Sequence, residues 1–162
     1  MTAGLTPAEA DVVLGVALGM SVEAVATQTT LRAKTVRGML ASAKGKLGRR
    51  EMTCAGAVER AYATGALPAP PPDPVRHQIS VRLSPAQVAL IRLLSQGVTA
   101  QDIAGAVTKP ESEVEQDLRT LCEITGADSA AHLITRAVQL GVPYRHKLPR
   151  RPVPLSRRHV AL

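Results

Sequence analysis

Aromatic side chains are nearly missing from this chain of 162 residues: Tyr62 and Tyr144 are the only two, with no phenylalanine or tryptophan. The core must be built from Ala, Val, Leu and Ile, which bury less area per residue than aromatic rings. Modest stability, helped by self-association, is the expectation. Cysteine is scarce as well. Cys54 and Cys122 stand far apart and in no CxxC arrangement, which predicts reduced, buried or half-buried thiols rather than a disulfide framework. His77, His132, His146 and His159 show no metal-ligand spacing, so no metal and no cofactor are expected. The absence of a glycine-rich phosphate loop and of a nucleophile motif argues against an enzyme. The longest apolar stretch, around Val12 to Met20, is too short to cross a bilayer. The N-terminus lacks the basic start and apolar run of a secretory signal. A cytoplasmic, nucleoid-associated protein with no membrane partner is expected.

Charge is present in quantity and unevenly spread. The formal net charge is +7. Residues 5–67 hold eight Lys/Arg against five Asp/Glu, whereas residues 83–142 hold four against seven. Residues 143–162 carry six basic side chains and no acidic one. A basic first part and a basic end favour a polyanion as partner, most often DNA or RNA.

The chain also repeats itself. From Leu5 to Gly48 it aligns without a gap with Leu83 to Gly126, 78 residues further on. Leu5-Thr6-Pro7-Ala8-Glu9 matches Leu83-Ser84-Pro85-Ala86-Gln87; Gly19, Val25 and Ala26 match Gly97, Ile103 and Ala104; Val36, Leu40 and Gly48 match Val114, Leu118 and Gly126. An internal repeat of this kind sets the architecture. In each copy a Thr or Ser followed by Pro and, three residues on, Glu or Gln predicts a capped first helix. Val12, Val13 and Val16, and Val88, Ile91 and Leu94, continue it at helical spacing. Gly19 and Gly97 end these helices, and Ser21 and Thr99 cap a short second one. A third helix places Val36, Leu40, Ala43 and Leu47 on one stripe, matched by Val114, Leu118 and Leu121, and stops at Gly48 and Gly126. A fourth helix is predicted from about Glu51 to Thr64 and from Ser129 to Leu140, the first copy carrying two extra residues before it.

Between the copies lies Pro68-Ala69-Pro70-Pro71-Pro72-Asp73-Pro74, which can be neither helix nor central strand. Polyproline II would make it a semi-rigid spacer holding the halves apart. The predicted division is therefore 1–67, a Pro-rich linker at 68–82, 83–142, and a basic Pro/Arg-rich tail at 143–162 that is disordered when free.

Lys34, Arg37, Ala41 and Lys44 fall at helical spacing on a face of the third helix distinct from its apolar stripe, with Gly38 and Gly45 leaving room for close approach. A solvated amphipathic helix with ordinary surface lysines is one reading. A helix placed in the major groove, with cationic and small side chains toward phosphates and base edges, is the other.

Residues 5–65 resemble the LuxR/NarL-type helix-turn-helix domain of bacterial transcription regulators. The resemblance rests on Leu5-Thr6-Pro7 with Glu9, Gly19-x-Ser21, Val25-Ala26, Lys34-Thr35-Val36 and Lys46-Leu47-Gly48. Sigma-factor region 4 has a related pattern. Ala24, Met39 and Arg32 depart from the family's usual Glu, His and small capping residue. The resemblance implies an all-α fold of two tandem four-helix modules. It implies double-stranded DNA as partner and Lys34, Thr35, Val36, Arg37, Gly38 and Lys46 as contacting residues; Arg32 and Lys44, cationic on the same helix, are expected to join them. It also implies a homodimer paired through the fourth helix, by Val58 and Tyr62 or by Ile134 and Val138. Arg145, Lys147, Arg150, Arg151, Arg157 and Arg158 of the tail would add phosphate contacts.

The second copy keeps the scaffold and changes the surface. Where the first has Lys34, Arg37 and Lys46, it has Ser112, Glu115 and Ile124, and Glu111, Glu113, Asp117 and Glu123 crowd its third helix against a single Arg119. It reads as a duplicate kept for folding or dimerisation, as an acidic surface for a basic protein partner, or as a mask for the basic helix. A DNA-binding transcription regulator is the main expectation. The alternatives are an interaction protein engaging RNA polymerase or a sigma factor, and a basic nucleoid-type or RNA-binding protein without sequence preference.

Overall fold

A capping box fixes where the first helix begins: Thr6 Oγ1 accepts from the Glu9 N–H and the Glu9 carboxylate accepts from the Thr6 N–H, so α1 runs Pro7–Ala17. Ser84 and Gln87 repeat the device at the start of α5 (Pro85–Ser95). Ser21 and Thr99 cap α2 (Val22–Thr29) and α6 (Ala100–Val107). The third helices, α3 (Ala33–Leu47) and α7 (Glu111–Thr125), have no side-chain cap. Thr53 and Ser129 cap α4 (Cys54–Ala63) and α8 (Ala130–Gln139). The cap at Thr53 starts α4 later than the predicted Glu51. The computed structural model describes residues 4–74 and 83–145, and all its regular structure there is helical. None of these helices is long and apolar enough to cross a membrane.

The internal contacts of α1–α4 and of α5–α8 are the same: in each set the first helix packs on the other three, the second on the third, and the third on the fourth. Equivalent hydrogen bonds recur. Arg60 Nε donates to the Leu47 carbonyl at 3.0 Å, and Arg136 Nε to the Thr125 carbonyl at 2.7 Å, each closing the C-terminal end of a third helix. The spacing of these bonds differs by the two extra residues of the first copy. Thr30 and Thr108 both take the left-handed conformation, φ 57°, at the turn into the third helix.

The two sets are not held apart. α4 lies along α8, and two further contacts flank it, α1 on α8 and α5 on α4, as a twofold relation requires. Glycines permit the approach: a methyl group on Gly56 would lie 2.3 Å from the Gly97 Cα, and the Thr53 N–H donates to the Gly97 carbonyl at 3.0 Å. The matching contact sets Gly19 against His132, whose Nδ1 would lie 2.7 Å from a methyl group on Gly19. Val58, Ala61, Leu133, Ile134 and Ala137 are fully buried along α4 and α8. Tyr62 Oη and Thr135 Oγ1 are hydrogen-bonded at 2.9 Å across the contact.

Three sequence expectations are corrected here. The Pro-rich stretch is tied down rather than acting as a spacer. The Arg136 guanidinium donates to the Asp73 carboxylate at 2.7 Å, and the Asp73 N–H donates to the Gln139 carbonyl at 3.1 Å. Residues 75–82 lie outside the described residues. The start of the basic tail belongs to the folded body. Tyr144 is 1% exposed and its hydroxyl donates to Glu59 of α4, while Arg145 pairs with the same carboxylate at 2.8 Å. Finally, the fourth-helix face expected to join two chains is already used within one chain. Composition could not reveal this, because a face suited to pairing looks the same whether its partner is another chain or the other half of its own.

Candidate nucleic-acid interface

The turn at Thr30 delivers the chain to α3, whose apolar stripe of Val36, Leu40, Ala43 and Leu47 is buried on α1, α2 and α4. The opposite face is open. Arg32, Lys34, Thr35, Arg37 and Gly38 are exposed, and Lys44 is half-buried beside exposed Gly45. Arg37 donates to the Glu23 carboxylate at 2.9 Å, with both side chains largely in solvent. Such an exposed pair contributes little to stability, about 0–1 kcal/mol, but it orients the guanidinium from the first turn of α2. Arg49 and Arg50 continue the cationic surface just past α3, both exposed, and the Arg50 side chain passes over Gly45. Sequence reasoning passed over these two arginines because they follow the helix-stopping Gly48. It passed over Glu23 because its partner is 14 residues away.

Of the residues expected to touch DNA, Val36 is buried, and Lys46, although exposed, is ion-paired within the fold. Val36 is fully buried, so it anchors α3 and presents no side chain to a groove. Lys46 Nζ lies 2.8 and 3.1 Å from the two carboxylate oxygens of Glu9, which also accepts from Ser42 Oγ at 2.8 Å and from the Thr6 N–H. Glu9 is only 7% exposed. The Lys46 hydrogen bond, with those from Thr6 and Ser42, outweighs the cost of burial and holds this carboxyl below the usual glutamate range. In the second copy Gln87 replaces Glu9 and Ile124 replaces Lys46. The loss of that lysine therefore accompanies the loss of its buried acid. In the tail, Arg145 is engaged by Glu59, and Lys147, Arg150, Arg151, Arg157 and Arg158 lie outside the described residues.

On α7 the outward face carries exposed Glu111, Glu113 and Glu115, which align with Ala33, Thr35 and Arg37, with Asp117 half-buried and Lys109 paired to it at 3.4 Å. Helix electrostatics makes the contrast sharper. Glu111 and Glu113 sit in the first turn of α7, where acids favour the helix dipole. α3 has no acid in its first turn and instead carries Lys34 there, next to Arg32. Cations at that end oppose the dipole, an arrangement that costs stability and favours an arriving anion.

Comparison of the chain with protein-family models, with curated proteins and with solved structures found no match.

Proposed function

We propose that this protein is a DNA-binding transcription regulator of the LuxR/NarL helix-turn-helix type. It consists of two tandem modules, 1–67 and 83–142, and reads duplex DNA through α3 of the first. The observation that carries the reading is the contrast between α3 and α7. On one repeated scaffold, the outward face of the third helix carries Arg32, Lys34 and Arg37 in the first copy and Glu111, Glu113 and Glu115 in the second, with Arg37 and Glu115 at the same position. A solvated surface helix gains nothing from placing Arg32 and Lys34 at the positive end of its dipole, whereas a phosphate-facing helix does. On this reading Arg37, Lys34 and Thr35 meet bases and phosphates, with Arg49 and Arg50 added at the far end, Val36 confined to the core and Lys46 shared with Glu9.

The test is fluorescence anisotropy on the best site obtained by chromatin immunoprecipitation and sequencing. Arg37→Ala and Lys34→Ala should each weaken binding by about 1–3 kcal/mol. Unchanged affinity in both variants refutes α3 as the reader. A second reading, an interaction protein engaging RNA polymerase or a sigma factor, draws on the exposed acids of α7. Bound DNA found only where polymerase sits, with no shared motif, would favour it.

A further inference from the structure

The arrangement of the two helix sets says what kind of DNA site suits this chain. We infer that one chain is a complete, self-paired reading unit, with α5–α8 standing where a second subunit would stand, and that its ligand is a duplex site of one half-site without palindromic symmetry. This rests on the DNA reading proposed above.

The twofold character is carried by individual contacts. α4 lies on α8, and α1 on α8 is matched by α5 on α4. The approach of Gly56 to Gly97 is matched by that of Gly19 to His132, at positions equivalent once the two extra residues are allowed for. Among the described residues, α2 and α3 make no contact with α5–α8, and α6 and α7 make none with α1–α4. Both third helices therefore stand clear of the junction.

The pairing surface is consumed. Of the residues suited to joining two chains, Val58 and Ile134 are fully buried, Tyr62 and Val138 are half-buried, and Tyr62 is bonded to Thr135. Among the described residues, the large apolar side chains that remain exposed, Leu14, Leu18, Val107 and Ile124, lie outside α4 and α8. Two further ties, made by segments that flank the helices, hold the junction shut: Asp73 to Arg136, and Tyr144 with Arg145 to Glu59. Covalent linkage gives the internal partner a high effective concentration, which a second chain must exceed to displace it.

The two readers are also unequal. A palindromic site offers equivalent phosphates to both halves of a twofold frame. α3 would meet them with Arg32, Lys34 and Arg37, and α7 with Glu111, Glu113 and Glu115, which they repel. Only one half of the frame gains from contact, so the preferred sequence is one-sided.

The full chain should select its site from a pool of duplexes with a randomised centre, and the mass of free protein and complex should be read by sedimentation velocity. The expected result is a monomer that enriches a non-palindromic motif and binds it as one chain per duplex. An enriched palindrome bound by two chains would overturn the inference while leaving the DNA reading intact, whereas a pool that enriches nothing would overturn the DNA reading itself. A surface variant sharpens the test. Glu111→Ala, Ser112→Lys, Glu113→Thr and Glu115→Arg together give α7 the outward residues of α3, all at exposed positions. On palindromes built from the enriched half-site at varied spacing, this chain should bind about tenfold or more tighter than the unaltered one at one spacing, still one chain per duplex. No gain at any spacing, or a gain carried by two chains, would count against the internal frame.

Discussion

Glu9 and Lys46 show how a single pair of side chains changes the meaning of a sequence difference. Read along the chain, Lys46 against Ile124 looks like a lost phosphate contact. In space it is half of an exchange, since Glu9 becomes Gln87 at the same time. Lys46→Ile alone should leave a buried carboxylate with only its Ser42 and Thr6 bonds, at a cost of about 1–3 kcal/mol. Combining it with Glu9→Gln, the pairing already present in the second copy, should recover most of that loss; urea denaturation of the four proteins of this cycle measures it. The pH dependence has a definite sign. The folded protein holds the Glu9 carboxyl below its ordinary value, chiefly through Lys46. The stability this contributes is present above the unfolded-state value and is lost as pH falls through the folded one. Glu9→Gln should therefore lose stability at neutral pH and show a shallower decline in acid, and an acid limb as steep as that of the unaltered protein would refute the assignment. None of this was legible in the sequence. The capping box predicted Glu9 correctly at the start of α1, but one carboxylate can serve both the cap and a lysine 37 residues away, and only the fold brings the lysine there.

Among the elements, the helices themselves were the legible part. Caps at Thr6, Ser21, Ser84 and Thr99, and the glycines Gly19, Gly97 and Gly126 that follow helix ends, are local chemistry, and each fell where the sequence put it. A turn after the second helix was legible, but the left-handed conformation of Thr30 and Thr108 was not, because a β-branched residue at φ 57° runs against its local preference. Helix α3 gives the prediction at this scale. Ala33→Glu and Thr35→Glu import the first-turn acids of α7 and complement the dipole. Each should stabilise the fold by about 0.3–1 kcal/mol, most clearly at low salt. On the proposed function, the same changes should weaken DNA binding, since they place carboxylates beside Arg32 and Lys34 at the phosphate-facing end. Thermal melts and anisotropy on the same samples check both signs. If stability rises while affinity stays level, the N-terminal end of α3 is not at the interface.

At the scale of the whole molecule, the sequence failed where long-range contact decides. A run of prolines reads as a spacer, yet Asp73 within it is fastened to Arg136, 63 residues away, and Tyr144 of the supposed tail is fastened to Glu59, 85 residues away. These anchors leave five basic side chains in residues 146–162 to serve the proposed polyanion. Deleting that segment should flatten the dependence of log affinity on log salt by about 0.9 per lost phosphate contact, equally on selected and random DNA. The direct packing of the two sets has a consequence independent of DNA. A spacer would leave two small bodies, each near the lower size limit for folding alone, that unfold separately. A shared apolar junction of Val58, Ala61, Leu133, Ile134 and Ala137 couples them instead. The scarcity of aromatics makes the coupling measurable. Both tyrosines sit at the junction, Tyr62 bonded to Thr135 and Tyr144 to Glu59, with no tryptophan to mask them. Tyrosine fluorescence therefore reports the junction, while circular dichroism reports the helices. In urea the two signals should coincide in one transition. Gly56→Val would drive a side chain into the Gly97 backbone, where even a methyl group lies 2.3 Å from Cα. That change should cost about 1–3 kcal/mol or more, and it should separate the signals, with fluorescence changing at lower urea than the dichroism. Two separated transitions in the unaltered protein would mean that the halves are not one cooperative body.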